Sequence, residues 1–334
     1  MGSTARGGSP WPTYTPQQLH QVFDRIDLPA KYRYEPGEFS REVIRHRDGV
    51  GLLGALQRHM LAHVPFENLD LHYSPYHQVS INADALFTKI VRQRNGRGGY
   101  CMENNVFFGI VLRSLGFDVM SVGARVNLQQ QPDASIEGQK QQYGGWSHMV
   151  NLVNVRGELY MVDVGFGAGG PTHPMPLREG GISMNVAPNE NVRLRRDALP
   201  EAERRENKLW LLERRVTSDD GPWVAVYCFE DNVCFLPQDF EVMTHFTSTH
   251  RTSFFAYRVV ASKHLVDPSS ETVNGDVVLY EDRVQSTQYG ETQVLAELKS
   301  EEDRVDALQR YLGITLSDAQ RDGIRGMVTE IQSA

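Results

Sequence analysis

Residues 95–128, NGRGGYCMENNVFFGIVLRSLGFDVMSVGARVNL, decide the fold, because the period of the apolar residues changes inside them. The stretch opens on a glycine loop, Asn95-Gly96-Arg97-Gly98-Gly99. Met102, Val106, Phe107, Ile110, Val111 and Leu115 then recur at helical spacing, which predicts a helix with one apolar stripe, closed by Gly116. From about residue 117 the pattern turns to alternation, and FDVMSVGARVNL reads as a strand. The helix begins directly on the glycine loop and carries Cys101 in its first turn. Unpaired amides there favour a thiolate over a thiol, so a depressed Cys101 pKa is expected.

Upstream of this switch the chain reads as helical. Leu19, Val22, Phe23 and Ile26 share a face, as do Val50, Leu53, Leu56, Met60 and Leu61, and Pro65 stops the second run. Residues 82–93, NADALFTKIVRQ, place Leu86, Phe87, Ile90 and Val91 on one side after an Asn82 or Asp84 cap. Downstream, strands are read at HMVNLVNV, ELYMVDVGFG, WVAVYCFE, FFAYRVV, DVVLYED and RVQSTQYG. The polar stretches 129–143 and 189–207 read as solvated loops, and from 301 onward Val305, Leu308 and Leu312 restore a helix. No internal repeat is visible. Helices first, then strands, then mixed elements predict an α+β fold with segregated units.

Composition narrows the function. The 334 residues are 40% hydrophobic and 23% charged, in the range of a globular protein with a sizeable core. Lys and Arg number 34 against 42 Asp and Glu, a net charge of -8 with no basic stripe, which argues against nucleic acid as a partner. No apolar run reaches the roughly 18 to 20 residues that span a bilayer, and the N-terminus lacks a signal-peptide core, so a cytoplasmic enzyme without a membrane partner is expected. Gly2 suggests myristoylation, but Arg6 stands where Ser or Thr is wanted, and the segment reads as a tail. The three cysteines, Cys101, Cys228 and Cys234, suit neither a disulfide framework nor a zinc site, and no metal is expected. Cys228 and Cys234 read as small buried apolar residues.

A nucleophilic Cys101 needs a base and something to orient it. Val155-Arg156-Gly157-Glu158 reads as a two-residue hairpin, pairing 155 with 158 and hence 150 with 163. In that register His148 and Asp163 lie diagonally on one face, roughly 7 to 8 Å apart at Cα, so the carboxylate can hold the imidazole. A three-residue turn would place them on opposite faces. With 11 histidines in the chain, a His near an Asp is common, and His148 among apolar neighbours also reads as a satisfied core histidine. Gly165, Gly167, Gly169 and Gly170 read as a close-packed turn rather than a phosphate cradle, since no Lys-Ser/Thr and no helix follow.

These residues carry a resemblance. Arg97-Gly98-Gly99-Tyr100-Cys101-Met102-Glu103-Asn104-Asn105 is similar to the RGGxCxExN signature of the arylamine N-acetyltransferases, and Val162-Asp163-Val164-Gly165-Phe166-Gly167 resembles their aspartate segment. Pro65-Phe66-Glu67-Asn68-Leu69, Asp239-Phe240-Glu241 and Ser248-Thr249-His250 resemble three further blocks in the same order. The resemblance implies a papain-like Cys-His-Asp core in three units: an N-terminal tail and helical domain over 1–116, a β-barrel domain over 117–215 and an α/β lid over 216–334. It implies a ping-pong acyltransferase in which Cys101 takes an acyl group from acetyl-CoA or malonyl-CoA and passes it to an arylamine. His148 would be the base and acid, with Asp163 orienting it. Glu67 and Arg97 would form a supporting ion pair, while Phe66 and Phe166 would line the acceptor pocket. Gly144-Gly145-Trp146 and Arg251-Thr252-Ser253 would contact coenzyme A, and a monomer or weak homo-oligomer is expected.

Two positions depart from the family. Arg251 stands where Pro is usual, and Thr244 where Asn is usual. A guanidinium there suits a CoA phosphate or a carboxylate on the acyl group. Some fungal members are N-malonyltransferases that detoxify plant-derived aminophenols, and the resemblance extends to that arm. The competing expectation is a papain- or transglutaminase-like hydrolase, in which water takes the acyl group. A non-catalytic relative would lack one of Cys101, His148 and Asp163.

Overall fold

A computed structural model describes residues 10–33, 48–130, 142–188, 190–216 and 221–332. The N-terminal Met1–Arg6 stretch and most of the polar stretch 129–143 lie outside the described residues. The chain opens with α1, Pro16–Arg25, whose Thr15 forms a capping box with Gln18. The helix α2, Gly49–His63, follows, and its Asp48 cap accepts from the Gly51 amide. Next come the two-residue strand β1, Phe66–Glu67, and the helix α3, Ala83–Phe87, which continues as a π turn through Arg92. Asn82 caps α3. The helix predicted from residues 95–128 is α4, Cys101–Ser114, buried along almost its whole length.

The chain then builds β2, Asp118–Val126, β3, His148–Val155, β4, Glu158–Val162, β5, Met175–Pro176, β6, Ser183–Val186, β7, Glu190–Asp197, β8, Leu209–Val216, and β9, Val224–Phe229. These form one eight-stranded sheet in the order β5-β4-β3-β2-β9-β8-β7-β6. The expected barrel is met in part: among the described residues the sheet stays open, with β5 and β6 as its edges. Just beyond β6, the Ala187 amide bonds the Val273 carbonyl of another sheet at 3.1 Å. β9 belongs to this sheet, so the sheet runs past the boundary drawn at 216.

The helix α5, Pro237–Thr249, leads into β10, Val260–Asp267, β11, Thr272–Tyr280, β12, Arg283–Gln288, and β13, Glu291–Glu297. With β1 they make a second sheet, β1-β10-β11-β12-β13, so a strand from the N-terminal half edges the C-terminal unit. Helices α6, Glu301–Ala307, and α7, Asp318–Gly323, complete the described chain.

Two strand readings need correction. Residues 190–197 form β7 rather than a loop, because Val192 and Leu194 point inward while Arg193 and Arg195 pair with Glu213 across the strand. Phe254–Ala256 is a short turn of helix, and the strand starts only at Val260. Cys228 is buried as expected of filler, whereas Cys234 is exposed.

Candidate active site

Cys101 sits at the head of α4 on a chain pinned from both sides. The Gly99 amide donates to the Pro65 carbonyl at 3.3 Å, and the Glu67 amide donates to the Gly99 carbonyl at 3.0 Å. A Cβ on Gly98 would lie 1.9 Å from the Pro65 oxygen, so only glycine permits this approach. Glu103 caps the helix by accepting the Tyr100 amide at 3.2 Å. The Cys101 side chain is buried, and its thiol donates to the Ser147 carbonyl at 3.6 Å.

The thiol corrects one expectation. The Met102 and Cys101 amides do favour the thiolate, but burial outweighs them and, with the charges of Asp163 and Glu103, pushes the Cys101 pKa up rather than down. Helix-end amides offset only part of the cost of placing a charge in a dry site.

The two strands that carry His148 and Asp163 meet in the predicted register. Arg156 and Gly157 both have positive φ, 57° and 90°, as a two-residue turn requires, and the ladder runs from Val155 opposite Glu158 to Asn151 opposite Val162. His148 Nε2 lies 2.7 Å from Asp163 Oδ2, and both side chains are buried. With Nε2 on the carboxylate, Nδ1 is the ring nitrogen left for a second partner. Phe166 stands edge-on to the imidazole at 5.3 Å, and Tyr227 packs against it at 5.0 Å.

The second oxygen of Asp163 is also satisfied. Asn105 Nδ2 and the Gly165 amide each donate to Oδ1 at 2.8 Å. Burial pushes Asp163 up, but His148, Asn105 and the Gly165 amide together hold it below the usual carboxylate range. Asn105 reaches further: it donates to the Met149 carbonyl at 2.7 Å and accepts from the Val164 amide at 3.0 Å. A Cβ on Gly165 would lie 2.6 Å from the Cys101 carbonyl oxygen, so α4, β3 and the end of β4 converge at this point.

Asn105, quoted from sequence only as the last residue of the signature, and Tyr227 were given no role there. Asn105 left a signal, a polar side chain one helical turn beyond Cys101 in an apolar helix. Tyr227, whose phenol is pushed up by burial and then by the Asp163 charge, reads from sequence only as an alternating strand residue.

Arg97 and Glu67 meet, with Nε to Oε1 at 2.9 Å, and both are buried. They are part of a larger cluster. Arg97 also reaches Asp70 at 2.7 Å, while Lys89 reaches Asp70 at 2.6 Å and Glu103 at 2.8 Å. Phe66 packs on the 165–170 turn that carries Phe166: a Cβ on Gly167 would lie 3.1 Å from the Phe66 ring, and one on Gly170 would lie 2.8 Å from Phe166 Cβ.

Gly144 and Trp146 line an open cleft of about 700 Å³, and a Cβ on Gly145 would meet nothing. Arg251 and Thr252 are exposed after α5, and Ser253 donates to the Thr247 carbonyl. Among the described residues no hydrogen bond or ring contact joins 144–146 to 251–253. No helix of the described chain is long and apolar enough to cross a membrane.

The chain is similar to known proteins over most of its length. The N-acetyltransferase family model matches residues 50–321. The chain is 37% identical over 322 residues to N-malonyltransferase FDB2 of Fusarium pseudograminearum, covering 94% of this chain and 93% of that one. It is 33% identical over 229 residues to the arylamine N-acetyltransferase / N-hydroxyarylamine O-acetyltransferase of Salmonella typhimurium, covering 67% and 71%. The structure of Mycobacterium marinum arylamine N-acetyltransferase in complex with CoA superposes with a TM-score of 0.69 at 27% identity, over 94% of this chain and 99% of that one. By sequence over most of its length and by fold, the chain is an acyltransferase of the arylamine N-acetyltransferase family.

Proposed function

We propose that the protein transfers an acyl group from an acyl-CoA to an aromatic amine through a thioester on Cys101. The observation that carries this reading is the 2.7 Å contact of His148 with Asp163 on strands fastened to the helix of a buried cysteine. The thiol proton passes to His148 as sulfur attacks the thioester carbonyl, and Asp163 stabilises the imidazolium. Collapse expels the CoA thiolate, which takes that proton. The amine then attacks the acyl-cysteine, His148 accepts its proton and returns it to the Cys101 sulfur. A thiol whose pKa burial pushes up suits this order, because charge then appears as an ion pair with the imidazole.

The amine lies between Phe66 and Phe166, where aromatic faces and edges accept a ring. Gly144-Gly145-Trp146 and Arg251-Thr252-Ser253 contact the CoA portion, and Glu67 with Arg97 supports the Cys101 loop. The donor is malonyl-CoA or acetyl-CoA. Identity of 37% to an N-malonyltransferase over 94% of this chain, against 33% to a bacterial arylamine N-acetyltransferase, supports the malonyl donor and a place in the fungal arm. Detoxification of aromatic amines or aminophenols in the cytoplasm, by a monomer or weak homo-oligomer, fits this reading.

Intact-protein mass after incubation with malonyl-CoA or acetyl-CoA alone tests it. One added acyl group is expected, absent in Cys101→Ala and discharged promptly by an arylamine. Discharge to water at the same rate with and without amine would make the protein a hydrolase instead.

A further inference from the structure

Among the described residues Arg125 is a cation held in place without an acid. It lies on β2, its guanidinium 4.1 Å from the centre of the Trp146 ring, and its Nη1 donates to the Gly144 carbonyl at 3.1 Å. A guanidinium has five N–H donors, and this carbonyl takes one of them. No carboxylate pairs with Arg125 among the described residues. Stacking and a backbone acceptor fix the fork before any ligand arrives, which lowers the entropic cost of binding.

The position is linked to the chemistry through Ser147. The Ser147 amide donates to the Ala124 carbonyl at 3.1 Å, and the Ser147 carbonyl receives the Cys101 thiol. The strand step that bears Arg125 is therefore fastened to the residue that touches the nucleophile. Arg125 faces the cleft of about 700 Å³ that Gly144 and Trp146 also line.

The other charges of the cleft are partnered or exposed. Glu230 accepts from the Asp231 and Asn232 amides and from Asn232 Nδ2. Arg196 reaches Asp231 at 3.4 Å and the Lys208 carbonyl at 3.2 Å. Glu201, Glu206 and Lys208 are exposed and can turn to water. Arg251, by contrast with Arg125, is exposed and carries neither clamp.

We propose that Arg125 binds an anionic oxygen group of the acyl-CoA donor and sets its affinity. The shared chemistry is a carboxylate or phosphate oxygen pair facing a guanidinium fork. Its two sources are the free carboxylate of a malonyl group and a phosphate of the CoA nucleotide. This rests on the acyl-CoA transferase reading above.

KM and kcat of wild type, Arg125→Gln and Arg125→Lys, with Arg251→Gln alongside, are to be measured for malonyl-CoA, acetyl-CoA and the nucleotide-free malonyl thioester of N-acetylcysteamine. Loss of a charge-assisted bond raises KM by about tenfold or more with kcat nearly kept. A rise for both malonyl donors and not for acetyl-CoA identifies the carboxylate. A rise for both CoA donors and not for the nucleotide-free thioester identifies the phosphate. Unchanged KM for all three donors, or an equal fall in kcat for all three, overturns the proposal. Should the Gln variant fail to fold, Arg125→Lys keeps the charge and loses the fork, and at least a threefold rise in the same KM pattern is required of it. Wild-type protein that takes no acyl group at all would instead refute the transferase reading.

Discussion

Asn105 shows how much of the site rests on one amide. Its side chain satisfies Asp163 Oδ1 at 2.8 Å, the Met149 carbonyl at 2.7 Å and the Val164 amide at 3.0 Å, all in buried surroundings. Each of those groups would lose a partner in Asn105→Leu, which has a similar volume and no polar atoms. Its stability is expected to fall by about 1 to 3 kcal/mol, and Cys101 acylation to slow at least about tenfold because Asp163 no longer holds one position. Denaturant melts and single-turnover acylation check this; a variant as stable and as fast as wild type would remove Asn105 from the site. Cys101 was legible in the sequence because loop, helix start and thiol coincide in a few residues. His148 and Asp163 were legible only through the Arg156-Gly157 turn, which fixes the register between them. The direction of the thiol pKa was not legible, since it depends on burial that only the assembled protein provides.

The first turn of α4 carries a charge problem that the glycine loop alone does not reveal. Two cations, Arg97 and Lys89, face three carboxylates, Glu67, Asp70 and Glu103, so one negative charge is in excess if all ionise. Glu103 yields: burial, with Asp70 and Glu67 beside it, pushes its pKa up to about 7 despite Lys89 at 2.8 Å. Asp70 goes the other way, down to about 2, because Lys89 and Arg97 outweigh its burial. The signs follow from proton linkage. Glu103 holds its proton in the folded state to higher pH than the ordinary 4.5, so its contribution favours folding in acid and declines as pH rises from 4.5 through about 7. Asp70 contributes above its ordinary 3.8, and that contribution is lost as pH falls toward about 2. Glu103→Gln should therefore flatten the decline, gaining on wild type as pH rises from 5 to 8. Thermal melts across that range check it, and a stability difference that does not vary with pH would count against a titrating Glu103. The same scale explains why 189–207 misled. Three arginines disguise β7, and the two inward residues Val192 and Leu194 are too few to outvote them without sight of the partner Glu213.

The halves of the molecule are interlocked rather than appended. β1 pairs Phe66 with Ser262 and Glu67 with Ala261, making a segment next to the Cys101 loop the edge of the C-terminal sheet. A two-residue strand has no periodicity to detect, so this long-range pairing was invisible in the sequence, whereas the local period of α4 was not. Asn68 reinforces the join, donating to the Phe255 and Arg258 carbonyls at 2.9 and 2.7 Å and accepting the Val260 amide at 2.9 Å. Leu69 and Tyr73 are buried in a cluster otherwise built from C-terminal residues such as Val259, Leu279, Leu308 and Ile314. On the Cys101 side, the Thr315 amide donates to the Asn95 carbonyl at 2.8 Å, and a Cβ on Gly96 would lie 1.8 Å from the Gly313 oxygen. A chain ending at residue 253 would expose Leu69 and Tyr73, strip Asn68 of its partners and free the turn that delivers Cys101. Burying a large apolar side chain is worth about 1.5 to 3 kcal/mol, and whole domains are stable by only about 5 to 15 kcal/mol. Losing two such side chains and a buried amide's bonds together therefore removes most of the margin. The truncated chain is expected to show no cooperative melt, and its Cys101 to react with a thiol reagent as fast as a free cysteine. A cooperative transition with a slow thiol would mean that the first 253 residues hold the site without the C-terminal sheet.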